Sequence, residues 1–441
     1  MKASVIVLVW NGMPDLAECL NALRSQDYSD LEIIVVDNGS SDGSADFIAS
    51  QYPELHLIRN ERNQGFATGN NLGLSAATGE VLILLNQDTV VRPDWVRALI
   101  DAFVECPTCG AAGSKALYPD GRIQHAGGYV NERGEGRHYG YGQQENGQFD
   151  QLRDVDYVTG AAFAISRRAM EAVGVLDEGF AAAYFEDVDW CYRVREAGFR
   201  VVYAPQAVLV HKERSAAAVP GHEGAYSFQR NRIRLVLKHW STGRLLDEFL
   251  PAETAWLEGL GQGGETLLAA MHHAYLHHLL HLDELAQWRT KALGSTLDDV
   301  DALANVLLKL RSTVPLRLVS TPFDAQFGLV EELRRREGIQ AQPLRSSLPV
   351  LGPLLTAFRG LWNRAVTAAF VLRMLQQQVQ FNMRVVTLLQ QLTAARSEDE
   401  QRWGSVLSEY LTEDGREHSE LASELRELRG LLGKRCSERL R

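Results

Sequence analysis

Two short acidic stretches carry the residue types that chemistry at a phosphate or a hydroxyl group needs. The first is Asn86-Gln87-Asp88, which follows the apolar run Val81–Leu85 in VLILLNQDTVV. An Asn and an Asp two apart in an extended turn aim side-chain oxygens the same way, a donor set suited to a hard divalent cation that bridges to phosphate. An ordinary turn is the competing reading, because Asn and Asp are also common turn formers. The second stretch is AYFEDVDWCYRVREAG, residues 183–198, with Glu186, Asp187 and Asp189 at its front. Acids favour a helix N-terminus without further purpose. Three of them within four positions, beside aromatic residues, exceed what a cap needs and mark a candidate site. His211 ends a later apolar run; a lone histidine there is ordinarily structural and gains meaning only with a partner.

These residues must be positioned by the elements around them. From Ala3 to Leu85 the pattern alternates strand and helix: strands over Ser4–Val9, Leu31–Val36, Leu55–Ile58 and Val81–Leu85, helices over Pro14–Ser25, Gly43–Gln51 and Gly65–Ala77. Such repetition predicts an α/β fold with a parallel, right-handed, doubly wound sheet, whose ligands bind beyond the carboxyl ends of the strands. Asn86-Gln87-Asp88 is one such end. Trp10-Asn11 and Asp37 close the first two strands, and Gly69-Asn70-Asn71 opens the third helix after a glycine-rich loop. An aspartate at a strand end can accept hydrogen bonds from a base or ribose, and amides at a helix N-terminus can face phosphate. Neither GxGxxG nor GxxxxGK[ST] follows the first strand, which counts against a dehydrogenase and an NTPase.

Beyond Val91 the spacing predicts a helix over Trp95–Cys106, an irregular Gly- and Tyr-rich region over Gly121–Phe149 that suits a substrate loop, a strand over Val155–Ser166 and a helix over Arg168–Val173. The helix behind the acids ends at Gly198; strands at Val201–Tyr203 and Ala207–Val210 follow. Ala225–Trp240 reads as a basic helix from which Arg230 or Arg232 reaches a diphosphate, or else as a solvated basic face. Leu245–Leu310 is helical in pattern, and its histidines 272, 273, 277, 278 and 281 read as structural or partner-facing, since no carboxylate accompanies them as in HExxH. From Leu361 to Thr393 apolar residues recur at alternating four-three spacing with Asn382 in the seam, and a second apolar stripe accompanies them. That pattern predicts an oligomerising bundle or coiled coil, and the acid-free, basic surroundings allow contact with a membrane.

A chain of 441 residues predicts two or three domains, divided here as 1–240, 241–340 and 341–441. Its net charge of -11 argues against nucleic acid as a partner. Five scattered cysteines fit a reducing compartment, and Cys106 and Cys109, a single CxxC, read as structural. The first apolar run is too short for a signal peptide and no run is long enough to span a bilayer. The expected location is cytoplasmic, with peripheral contact at the inner face of the cell membrane left open.

Six motifs, in order, resemble family 2 inverting glycosyltransferases of the GT-A fold, and most of all bacterial rhamnosyltransferases: VVDNGSSDGS, NQGFATGNNLG, LLNQDTVV, VTGAAFAISRRAM, YFEDVDWCYRVREAGFRVVYAP and the following His211. The resemblance covers the first ~240 residues. It implies that Asp37, with Trp10 and Asn11 beside it, contacts the base, and that Gly69 and Asn70 lie near ribose and diphosphate. It further implies that Asp88 holds Mg2+ or Mn2+, that His211 completes the metal shell, and that Asp187 is the catalytic base with Glu186 beside it. Thr159, Gly160, Trp190 and Arg230 become candidates for acceptor or diphosphate contacts. Asn86 departs from the family's DxD motif, since a neutral amide replaces the first carboxylate and weakens the hold on a cation.

The implied function is sugar transfer from a dTDP- or UDP-linked donor, dTDP-rhamnose by similarity, to a glycan or lipid-linked glycan in cell-surface polysaccharide (O-antigen) synthesis. The chemistry agrees: charge grows on the departing diphosphate, where a cation offsets it, while an attacking hydroxyl must lose its proton to a carboxylate on the other side. The rival is a non-catalytic sugar-nucleotide-binding scaffold organised by its C-terminal helices. A nucleotidyltransferase is a third option, disfavoured because no basic, glycine-rich triphosphate loop is present.

Overall fold

The computed structural model describes residues 1–181, 183–213, 222–260, 264–293 and 297–314. Strands β1 (Ala3–Val9), β2 (Leu31–Asp37), β3 (His56–Arg59) and β4 (Val81–Asn86) alternate with helices α1 (Met13–Arg24), α2 (Ser44–Gln51) and α3 (Phe66–Ala76). The four strands are parallel in the order β3-β2-β1-β4. Their continuous apolar runs follow from burial on both faces. In β1, Val5, Val7 and Val9 pack with Leu16 and Leu20 of α1, while Ile6 faces the opposite layer with Leu74 of α3.

The second half of the sheet departs from the expected parallel winding. After β5 (Thr89–Val91) and α4 (Trp95–Glu105) comes β6 (Cys109–Leu117), a strand absent from the sequence reading although it is central to the sheet. The region expected to be irregular contains β7 (Ile123–His125), β8 (Gly128–Val130) and β9 (Gly136–His138). After the short β10 (Arg153–Asp154), the strand expected over 155–166 is confined to β11 (Ala162–Ser166), which runs antiparallel between β4 and β6. Helices α5 (Arg167–Val173) and α6 (Glu186–Glu196) lead to β12 (Arg200–His211). This one strand replaces the two expected; its register against β6 shifts between Ala204 and Val208, which is where the apolar pattern breaks at Pro205-Gln206. The completed order is β3-β2-β1-β4-β11-β6-β12-β10, with β5 on β12 and β7 on β6.

Helix α7 (His222–His239) is followed by α8 (Thr242–Arg244), a π-helical turn (Leu245–Phe249), α9 (Leu250–Gly259), α10 (Glu265–Leu280), α11 (Leu282–Leu293) and α12 (Leu297–Thr313). The boundary expected at 240 does not separate two bodies. Ile233 and Val236 of α7 share one core with Tyr275 of α10 and Leu307 of α12, and residues 1–319 form one compact unit. Across that core Arg232 and Glu253, both fully buried, pair with two hydrogen bonds, and Tyr275 also donates to Glu253 at 2.8 Å. Among the described residues no helix is long and apolar enough to cross a membrane. The expected oligomerising region, 341–441, lies outside the described residues.

Candidate active site

The turn between β4 and β5 consists of Gln87 and Asp88. Gln87 fixes the neighbouring strand end from both sides: its Oε1 accepts from the Trp10 amide at 2.8 Å and its Nε2 donates to the Trp10 carbonyl at 3.0 Å. Sequence reasoning passed over Gln87 as the spacer between Asn86 and Asp88. Pairing of β5 with β12 sets Thr89 opposite His211, and the Lys212 amide donates to the Asp88 carbonyl at 3.0 Å. Strand register thus supplies the partner that His211 lacked in the sequence. His211 Nε2 lies 3.3 Å from Asp88 Oδ1, and both side chains are buried. His211 Nε2 makes no hydrogen bond among the described residues. A buried imidazole nitrogen facing a carboxylate fits a divalent cation. Among the described residues no group of three or more His, Cys, Asp or Glu gathers as a metal site. The Asn86 carbonyl is occupied by Thr89 Oγ1 at 2.7 Å.

At the end of β2, Asp37 Oδ2 accepts from the Ser40 amide at 3.3 Å, while its buried Oδ1 has no hydrogen-bond partner among the described residues. That free acceptor suits a base or ribose donor. Trp10 presents a ring that is 36% exposed beside this corner. Asn11 is committed differently from the expectation. Its φ is +50°, its amide donates to Ser40 Oγ, and its Oδ1 accepts from the Ser41 amide at 2.9 Å, so its side chain shapes the loop. Gly69 also has a packing reason: a Cβ there would come within 2.5 Å of Leu8 Cδ1, so a larger residue would have to displace the Leu8 side chain from between α3 and β1. Asn70 Nδ2 donates back to the Phe66 carbonyl at 3.0 Å, and its buried Oδ1 has no hydrogen-bond partner among the described residues.

Glu186 and Asp187 open α6 after two consecutive non-glycine residues in the left-handed region, Tyr184 (φ +80°) and Phe185 (φ +73°). Two such residues store backbone strain that surrounding contacts must hold. Asn231 of α7 does so, donating to the carbonyls of Ala183 at 2.9 Å and Tyr184 at 3.0 Å. Arg230 Nη2 donates to the Ala181 carbonyl at 2.8 Å and bonds Asn231 Oδ1, which commits much of its guanidinium to this loop. Asp187 Oδ2 accepts from the Gly160 amide at 2.7 Å and Oδ1 from the Val188 amide at 2.8 Å. The next residue, Ala161, accepts from the Asn86 amide at 3.0 Å. The turn Thr159–Ala161 thus joins the end of β4 to the acid at the head of α6. Burial raises the Asp187 carboxyl, an effect its two amide donors oppose. Glu186 is raised well above the usual carboxylate range by burial and by Asp187, and its Oε2 has no hydrogen-bond partner among the described residues. Of the two neighbouring carboxyls Glu186 is the more strongly raised, and the amide bonds to Asp187 favour its ionised form.

Other residues of this region turn inward. Trp190, expected near acceptor or diphosphate, is fully buried: its Nε1 donates to the Gly174 carbonyl at 2.8 Å and its ring meets Phe163 edge-on. It lies on the core side of α6. Asp189 is likewise structural, bonded to Lys238 at 2.6 Å, His239 at 2.8 Å and Arg193 at 2.9 Å. Arg232, paired with Glu253, cannot reach a diphosphate. In α10, His272 and His278 are buried, with His278 Nε2 2.8 Å from the Arg230 carbonyl, and His277 stacks on His281. Cys106 and Cys109 are buried, free thiols.

Residues 4–174 match the family model described as Glycosyl transferase family 2. This domain belongs to that family. The fold around its site is GT-A, a mixed α/β sheet flanked by helices. The chain is 31% identical over 233 residues to the O-antigen biosynthesis protein RfbC of Myxococcus xanthus, a match covering 50% of this chain and 18% of that protein. It is 28% identical over 261 residues to an N-acetylglucosaminyl-diphospho-decaprenol L-rhamnosyltransferase of Mycobacterium tuberculosis, covering 52% of this chain and 84% of that enzyme. Among solved structures, GalNAc-T7 with UDP, GalNAc and Mn2+ superposes with a TM-score of 0.47 at 17% identity, over 72% of this chain and 58% of that one.

Proposed function

We propose that this protein is an inverting glycosyltransferase that moves a sugar from a nucleoside diphosphate to a hydroxyl of a glycan or lipid-linked glycan, in the synthesis of a cell-surface polysaccharide. The observation that carries the reading is the turn Thr159–Ala161, which bonds Asp187 through Gly160 and the Asn86 amide through Ala161, and so ties a carboxylate at the head of α6 to the strand end that leads into Asp88 and its partner His211. Asp37 Oδ1 and the Trp10 ring receive the base, and Asn70 and Asn86 lie toward ribose and diphosphate. Asp88 and His211 hold Mg2+ or Mn2+. When bound, the cation offsets charge on the departing diphosphate as a Lewis acid. Asp187, kept ionised by two amide donors while Glu186 retains the proton, takes the hydroxyl proton as the acceptor oxygen attacks the anomeric carbon. One displacement inverts that carbon without a covalent nucleophile.

The donor we favour is dTDP-rhamnose, supported by the named activity of the mycobacterial relative. The same reading assigns the segment beyond residue 340 to self-association and peripheral membrane contact, on sequence pattern alone. Calorimetric titration of dTDP-rhamnose and UDP-linked sugars with Mn2+, with Mg2+ and with chelator tests the site. The reading requires one donor to bind more tightly with metal; equal affinity in all three conditions removes the cation from it.

A further inference from the structure

The side chain of Gln124 has no role in anything described so far, yet it is buried against His211. It comes from β7, in the Gly- and Tyr-rich insert. Against β6, His125 pairs with Ala116 and Ile123 with Leu117, so Gln124 is the extra residue of a bulge. Bulges beside active sites re-aim single side chains. This one brings Gln124 Oε1 to 2.7 Å from His211 Nδ1 and Gln124 Nε2 to 3.1 Å from Glu213 Oε2.

The direction of each bond follows from the donors available. A carboxylate only accepts, so the Gln124 atom facing Glu213 must be the amide nitrogen. The atom facing His211 is then the carbonyl oxygen, which also only accepts. His211 Nδ1 must therefore carry the ring proton, which leaves the lone pair of the neutral imidazole on Nε2, the atom 3.3 Å from Asp88 Oδ1. Flipping the amide would set the Gln124 oxygen against the Glu213 carboxylate.

We propose that Glu213 and Gln124 form a relay that fixes the Nδ1–H tautomer of His211, so that Nε2 is ready to ligate the divalent cation; Gln124 is a positioning residue for metal affinity. The proposal rests on the cation site of the proposed function. It extends that site to a residue from the insert that was expected to act only as a substrate loop. Partners of this kind orient the ligand ring and raise its basicity, and losing one typically lowers metal affinity by about 10–100-fold.

Two measurements on the full-length protein test the relay. In the first, metal-free protein with ¹⁵N-labelled histidines is examined by long-range ¹H–¹⁵N NMR, with the His211 signals assigned by their loss in His211→Asn. The proposal requires protonated Nδ1 and unprotonated Nε2 at neutral pH; protonated Nε2 in the neutral ring overturns it whether or not metal binds. In the second, Mn2+ and UDP are titrated by calorimetry. Gln124→Leu should weaken Mn2+-dependent UDP binding about 10–100-fold and leave UDP binding in chelator unchanged. The double exchange Gln124→Glu with Glu213→Gln rebuilds the relay with the amide on the other residue, and should recover most of the loss. Unchanged Mn2+ dependence in a folded Gln124→Leu overturns the proposal, as does a double exchange no better than Gln124→Leu. Wild-type protein whose UDP affinity ignores Mn2+ strikes the cation reading itself, a result separate from the tautomer.

Discussion

Replacing Asn231 should damage catalysis from a residue that touches neither donor nor acceptor. Its amide holds the carbonyls of Ala183 and Tyr184, and the backbone it holds contains Tyr184 and Phe185 at φ +80° and +73°. Each non-glycine residue in the left-handed region costs about 1–2 kcal/mol, so the turn stores about 2–4 kcal/mol. Two hydrogen bonds return about 1 kcal/mol each. The clamp is therefore comparable to the strain, with the rest borne by packing of the buried Phe185 ring on Phe228. Asn231→Asp keeps the shape but turns an acceptor toward two carbonyls, which should let the turn relax and move Asp187 away from the Gly160 amide. A displacement of about 1 Å at a reacting group costs about 10²-fold in rate. The expected result is a kcat lower by about that factor with donor affinity unchanged, measured by transfer assay and calorimetry. A folded Asn231→Asp enzyme with normal kcat refutes the reasoning.

Three further outcomes follow from the buried ionisable groups. Asp189→Asn should destabilise the fold by about 3–5 kcal/mol in denaturant titration, because it leaves Lys238 and His239 buried beside a neutral amide. Burial would raise the Asp189 carboxyl, but Lys238, the His239 bond and Arg193 hold it far below the usual range; its contribution is present above the ordinary aspartate value and fades only as pH falls through acid. His239 behaves oppositely: burial would lower it, yet its bonds to Asp189 and Glu196 raise it, so its contribution is full below the ordinary histidine value and is lost as pH rises through the raised one. Glu186, raised by burial and by Asp187, loses stability as pH climbs above the ordinary glutamate value, so Glu186→Gln should gain in melting temperature over wild type, more at pH 8 than at pH 5. A constant difference across that range would mean that Glu186 is ionised.

The parallel half of the sheet was legible because its strands are buried on both faces and its turns carry their own signals; β1 to β4 all lie within about two residues of expectation. β6 was not, since CGAAGSKAL holds glycine, alanine and serine where strand propensity looks for branched residues. The structure gives the reason: a Cβ at Gly110 would come within 2.5 Å of Val194 of α6, so small residues let the helix approach. Asp88 and Asp187 stand out in the sequence by their place at a strand end and a helix start. The roles of Asp189 and Trp190 were not, because three acids and a tryptophan in one stretch do not reveal which side of the helix each occupies. Lys238 and His239, which neutralise Asp189, come about 50 residues later. Gln87 and Gln124 were invisible for the same reason, their partners being set by strand pairing and a bulge.

The proposed function rests on removal of the acceptor proton by Asp187. Single-turnover transfer from the preferred donor by Asp187→Asn, with donor affinity measured on the same preparation, tests it most directly. The account predicts a rate lower by about two to four powers of ten and nearly unchanged donor affinity, because a general base acts in the transition state and contributes little to donor binding. Near-normal transfer by Asp187→Asn would contradict it.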